Sequence, residues 1–377
     1  PTNTGRVVPI EQVLDRVVAP IAAVQPVLLL VMDGLSNSIF RELFARAASH
    51  GWAELVPASQ CKPFVGVAAV PTITEVSRTS LLCGRLTTGA QAQERPGFAT
   101  HAALVATSRA DYAPKLFHKG DLADAGNLAT EVRAAIANQK QQVVGVVYNA
   151  VDDHLSGPDQ LNQRWTLEDL RLLLPLLREA REARRVVIIT ADHGHLLEDG
   201  TTQIPGGESD RWRPGGTAAS PQELAISGGR VVNSDDSNAV VCLWGESSRY
   251  AGRKNGYHGG LSPQELTVPL SVFAPLGTIL ADWSPAPPNQ PEWWELPPLL
   301  QSDKPAGAAT PQARPVRKKP VQTEAQPGLF GPVDSPPPAV DVVAQDWIAG
   351  LLASPIYASQ RQLAARVALP DDKMRLL

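Results

Sequence analysis

Three apolar runs without polar alternation stand out along the chain: VLLLVM at residues 27–32, VVGVVY at 143–148 and VVIIT at 186–190. A strand that shows a polar face to water alternates, whereas a strand buried on both faces does not, so each run predicts an interior strand. Between the last two, residues 167–184 place leucines at helical spacing, and Thr166 with Asp169 makes a start resembling a capping box. Pro175 predicts a kink or a split in that helix. Strand, helix, strand of this length is a βαβ unit. The expected fold is therefore α/β, a doubly wound, mostly parallel sheet with helices on both faces.

In such sheets ligands bind outside the carboxyl ends of the strands. The first run ends in Asp33-Gly34, the second leads into Asn149-Ala150-Val151-Asp152-Asp153-His154, and the third leads past Ala191 into Asp192-His193-Gly194-His195. Aspartate and histidine without cysteine suit a catalytic zinc site; manganese and magnesium are alternatives less suited to imidazole. A Gly-rich segment, Asn255-Gly256-Tyr257-His258-Gly259-Gly260, brings a further histidine. A fifth segment runs from Pro71 through Thr72, Ile73, Thr74, Ser77 and Arg78 to Gly84. Residues 75–83 predict a helix closed by Gly84. Thr74 at its start is either an N-cap or, beside a metal, an activated nucleophile. Arg78, one turn along, either braces a phosphoryl oxygen or forms a structural ion pair. His195 either orients a ligand or is exposed, and Arg211 and Arg213 read as a solvated loop or as substrate contacts. His50, His101 and His118 read as surface or packing residues.

Composition changes the picture mainly at the carboxyl side. Residues 281–340 contain 15 prolines in 60 positions, which reads as a semi-extended linker between a domain at 1–280 and a small helical module at 341–377. Trp283, Trp293 and Trp294 suggest that the linker docks as far as about residue 300. Arg314, Arg317, Lys318 and Lys319 read as linker solvation or a nucleic-acid contact. The tail resembles the start of a helix-turn-helix module, with a docking helix as the alternative. Over 377 residues, Lys+Arg 34 against Asp+Glu 38 excludes a globally basic nucleic-acid coat. Cys61, Cys83 and Cys242 have no metal or disulfide spacing, which favours the cytoplasm. The chain carries no apolar run long enough to span a membrane, and its start at Pro1 without Met suggests a piece of a longer protein.

The order VMDG, PTITEVSRTSLLCG, NAVDDH, TADHG and GYHGG followed by PQELTVPL resembles the PglZ family of the alkaline phosphatase superfamily, components of BREX and Pgl bacteriophage-defence systems. The resemblance covers about residues 20–280. The paired aspartates and the tail look most like the actinobacterial Pgl, or type 2 BREX, form. It implies a two-metal phosphohydrolase of the phosphodiesterase or nuclease type, acting on a phosphoester such as DNA beside other BREX/Pgl subunits. One zinc is implied at Asp33, Thr74, Asp192 and His193, with Thr74 as nucleophile and Arg78 beside it. The second is implied at Asp152 and His258. Its middle ligand departs from the family pattern: Ser156 stands four after Asp152, leaving His154, Asp153 or Asp159. That departure keeps open a second expectation, a catalytically weak scaffold holding other defence subunits.

Overall fold

The computed structural model describes residues 5–149, 165–207, 209–233 and 238–288. The chain divides into two units, residues 1–296 and 297–377; all of the second, with the basic run and the tail, lies outside the described residues.

Twelve strands of three or more residues lie among the described residues of the first unit: β1 (Val7–Pro9), β2 (Val27–Met32), β3 (Trp52–Pro57), β4 (Phe64–Val67), β5 (Lys115–Phe117), β6 (Val143–Tyr148), β7 (Val186–Thr190), β8 (Trp212–Pro214), β9 (Glu223–Ser227), β10 (Ala239–Leu243), β11 (Thr267–Pro275) and β12 (Trp283–Pro285). Nine of them form the main sheet in the order β1-β4-β11-β7-β2-β6-β5; β3 pairs with the far half of β11, and β12 pairs with β3. Strands β5, β6, β2 and β7 are mutually parallel. Because β11 runs antiparallel to β7, β4 and β3, the last two point the same way as the parallel set. The sheet is thus mixed and mostly parallel, as the apolar runs predict. All three runs form strands at the predicted bounds, and every residue in them is buried. Strand β12 contains Trp283, whose ring meets Phe64 edge-on at 6.0 Å.

Two details differ from the sequence expectation. The helix before β7 starts only at Leu173 and runs to Glu182, after Leu172 adopts φ 71°. Pro175 therefore sits in the first turn, where its missing N–H costs nothing, and neither kinks nor splits the helix. Beyond β7, β8, β10 and β9 form a separate antiparallel sheet in that order.

At the amino ends of the central strands, Arg185 is fully buried. Its guanidinium donates to the carbonyls of Ile136 (2.6 Å), Ala135 (3.1 Å), Asn138 (2.8 Å) and Val27 (3.3 Å). Burial pulls its pKa down to about 10, which leaves it cationic at neutral pH. Among the described residues, no helix is long and apolar enough to cross a membrane.

Candidate active site

The carboxyl ends of β2 and β7 set the site. Asp33 follows β2 directly, and its N–H is held by the Tyr148 carbonyl at the end of β6. Asp192 and His193 follow β7 after Ala191. The third component is the helix Thr74–Cys83, closed as expected by Gly84 in the left-handed conformation. That helix starts one residue earlier than the pattern predicts. Ile73 is the N-cap and Thr74 the first helical residue, so the Thr74 hydroxyl is not a cap. Its Oγ1 lies 3.2 Å from His193 Nε2 and 3.4 Å from Asp33 Oδ1. Ser77, one turn further, donates to the Asp192 carbonyl at 2.6 Å and accepts from the Ala69 N–H at 3.1 Å, tying the helix to the end of β7.

Ligand atoms of Asp33, Asp192 and His193 all lie within 4.8 Å of one another, and all three residues are buried. Asp192 Oδ1 accepts from the N–H groups of His193 (2.9 Å) and Gly34 (3.2 Å). Its buried Oδ2 finds no hydrogen-bond donor among the described residues and lies 3.7 Å from His193 Nε2. A buried carboxylate oxygen without a donor is costly. Burial raises the Asp192 pKa, against the opposing pull of Arg78 and of its backbone donors. His193 Nδ1 donates to the Gly194 carbonyl at 2.9 Å, so the other ring nitrogen, facing Thr74, carries the lone pair in the neutral imidazole. The donor set therefore fits a divalent cation: two carboxylates, an oriented imidazole and an oxygen in want of a positive charge.

Arg78 is 8% exposed and closes the other side. Its Nη1 lies 2.8 Å from Asp33 Oδ2 and its Nε 3.0 Å from Glu94 Oε1. Desolvation lowers the guanidinium pKa, but Asp192, Glu94 and Asp33 outweigh it and the net shift is upward. The ion pairs of one of the two sequence alternatives are thus formed, through Nη1 and Nε. Asn149 Nδ2 also donates to Asp33 Oδ2, at 2.6 Å. His195 is buried, and its Nδ1 donates to the Gly34 carbonyl at 2.6 Å.

His258 stacks on His193 with ring centroids 4.3 Å apart, and its Nδ1 faces the Thr72 carbonyl at 3.3 Å. Its loop is held from behind by Glu265, which accepts from the N–H groups of Gly260 (2.7 Å) and Ser262 (3.1 Å) and from Arg211 Nε at 3.0 Å. The Glu265 carbonyl also accepts from the Gly194 N–H at 3.0 Å. Glycine is required at 194 because a Cβ there would stand 1.9 Å from the Gln264 carbonyl oxygen.

The structure thus gathers Asp33, Thr74, Arg78, Asp192, His193 and His258 at one edge of the sheet. Asp152, Asp153, His154, Ser156 and Asp159 lie outside the described residues. Two sequence readings are corrected. Arg211 is not on a solvated loop: it is fully buried against Glu265 and the carbonyls of Ser248 and Gly245. Arg213 pairs with Glu223 at 3.1 Å. Of the two readings for His118, surface or packing, the structure gives the buried one: it follows β5, and its Nε2 lies 2.6 Å from Glu94 Oε2. A three-residue strand offers too short an apolar run to mark that position, and nothing in its local pattern singles out Glu94.

An α/β domain with this sheet and this site falls in the class of alkaline phosphatase-like phosphoester hydrolases. The chain belongs to the PglZ family: the sequence model of the BREX system PglZ alkaline phosphatase-like domain matches residues 13–273. Among solved structures it is similar to phosphonoacetate hydrolase from Sinorhizobium meliloti 1021, with 13% identity over 66% of this chain and 89% of that one and a TM-score of 0.40. It is also similar to murine ectonucleotide pyrophosphatase/phosphodiesterase 5, with 13% identity over 66% and 88% of the two chains and a TM-score of 0.42. The human form gives 14% identity over 66% and 87% and a TM-score of 0.41. No curated protein sequence matches the chain.

Proposed function

We propose that this domain is a metal-dependent phosphodiesterase of the nuclease type, with Thr74 as nucleophile and zinc as its cation, acting in the cytoplasm beside other subunits of a BREX defence system. The paired aspartates at 152–153 and the tail favour the Pgl, or type 2, form. The observation that carries the reading is the position of the Thr74 hydroxyl. It stands within 3.4 Å of two of the three clustered side chains, Asp33 and His193, at the amino end of a ten-residue helix.

Bound at Asp33, Asp192 and His193, a divalent cation supplies the positive charge that favours the ionised hydroxyl and the developing charge on phosphorus-bound oxygens. The remaining work falls to the chain. At the start of the Thr74 helix the Val76 and Ser77 N–H groups are taken by the Ile73 carbonyl at 3.2 and 2.8 Å, which leaves those of Thr74 and Glu75 to favour an anion beside Thr74. With the lone pairs of Asp33 and His193 that face Thr74 engaged by the cation, the hydroxyl proton would pass to solvent water, and the departing ester oxygen would take one up from it. Thr74 Oγ1 forms the bond to phosphorus while the ester oxygen leaves. Water then attacks the same phosphorus, and Thr74 Oγ1 leaves and regains its proton. His258, with Asp152 and one of His154, Asp153 or Asp159, would hold the second cation. Arg78, engaged on both sides, orients Asp33 rather than the substrate.

The test is turnover of bis-p-nitrophenyl phosphate and of plasmid DNA with added zinc or manganese, comparing wild type with Thr74→Ala and Asp192→Ala. Turnover that both substitutions abolish is the expected result; equal rates in all three remove both residues from the mechanism. Stoichiometric metal without hydrolysis of any phosphoester would instead support a scaffold.

A further inference from the structure

Behind Asp33 lies a continuous line of buried polar groups that bonding to a cation alone does not require. Asp33 Oδ2 takes two donors, Arg78 Nη1 at 2.8 Å and Asn149 Nδ2 at 2.6 Å, which leaves Oδ1 turned toward Thr74 and His193. The Arg78 guanidinium is planar, so fixing its Nε also fixes the direction of Nη1. Glu94 fixes that Nε, accepting at 3.0 Å through Oε1, which also takes the Thr79 hydroxyl at 3.2 Å. The second oxygen, Oε2, is taken by His118 Nε2 at 2.6 Å. Glu94 is fully buried and His118 is 1% exposed. The line runs from the end of β5 through the helices Gln91–Ala99 and Thr74–Cys83 to the end of β2.

We infer that Glu94 and His118 are positioning residues for Asp33, acting through Arg78, so that the pair sets cation affinity from two side chains away. The inference rests on the reading of Asp33 as a cation ligand. Partners behind a metal ligand commonly change affinity by about 10–100-fold when removed.

The experiment titrates the purified full chain with Co(II), following its visible absorption and competing it against a chelator, with thermal unfolding of the metal-free forms measured in parallel. Glu94→Gln and His118→Leu are expected to weaken Co(II) binding by about tenfold or more and to alter the visible band, while His118→Gln, which keeps an N–H toward Glu94, stays within about threefold of wild type. Should Glu94→Gln not fold, the contrast between Leu and Gln at position 118 carries the test. Wild-type affinity and spectrum in Glu94→Gln and His118→Leu, even with lowered thermal stability, would overturn the inference and leave the line as packing alone. Absence of Co(II) uptake by the wild type would overturn the metal reading and this inference together.

Discussion

Thr74 Oγ1 and His193 Nε2 lie 3.2 Å apart although 119 residues separate them in the chain. Two independent elements, a helix start and a strand end, are brought to that distance and locked there by the Ser77 hydroxyl bound to the Asp192 carbonyl. On the proposed mechanism the group that matters at position 74 is the side-chain oxygen, not the backbone.

Serine keeps that oxygen and alanine removes it. Thr74→Ser is expected to retain measurable phosphodiester turnover, while Thr74→Ala loses about 10³-fold or more. Both should bind metal, because Asp33, Asp192 and His193 remain. Steady-state kinetics together with metal analysis of both variants checks the pair.

Asp192 places a charged, donorless oxygen in the interior. Asp192→Asn removes the charge with little change of shape, so the metal-free variant should unfold no earlier than metal-free wild type. It should also lose most of the stabilisation by metal, which for wild type is about 2.7 kcal/mol at a metal concentration 100-fold above Kd. Thermal unfolding with and without zinc measures both halves.

Arg211 and Glu265 form a pair with no exposure on either side chain. Arg211→Ala strands the Glu265 carboxylate in the interior, and the expected loss is about 3–5 kcal/mol. Because Glu265 holds the His258 loop, that loop should open first, visible as early hydrogen exchange at Gly259 and Gly260.

Glu223 gives a pH signature. Burial alone would push its carboxyl up. The forked contact from Arg213 and the bonds from the Tyr250 hydroxyl and the Ala219 N–H outweigh burial and bring it from 4.5 down to about 2. A carboxyl depressed in the folded state stabilises above its unfolded pKa, and that stabilisation fades as pH falls toward the folded value. Wild type should therefore lose stability relative to Glu223→Gln between pH 4.5 and about 2, with a constant difference above that window. Urea unfolding at stepped pH reads the difference.

The central strands and the residues just after them were legible because interior strands leave long apolar runs and their ends are where polar residues resume. Asp33, Asp192 and His193 follow directly from that contrast. Thr74 was legible only as a choice between cap and nucleophile, since a helix start looks the same in sequence whether its hydroxyl turns back to the backbone or outward to another strand. His118, Glu94, Arg211 and Glu265 were not legible. Each owes its role to a partner brought by tertiary packing: 24 residues separate His118 from Glu94, and 54 separate Arg211 from Glu265. A charged residue in a polar stretch carries no local mark of being buried.

Arg185, at the far end of the same strands, gives the sheet an inherent polarity. There the fold supplies its own permanent cation, saturated by carbonyls. At the opposite rim, one strand-length away, it assembles anions and leaves one oxygen unserved. The chain thus completes one end of its sheet from within; on the proposed reading the other end draws its positive charge from the surrounding medium, and starvation for divalent ions would then silence that rim while leaving the foundation beneath it standing.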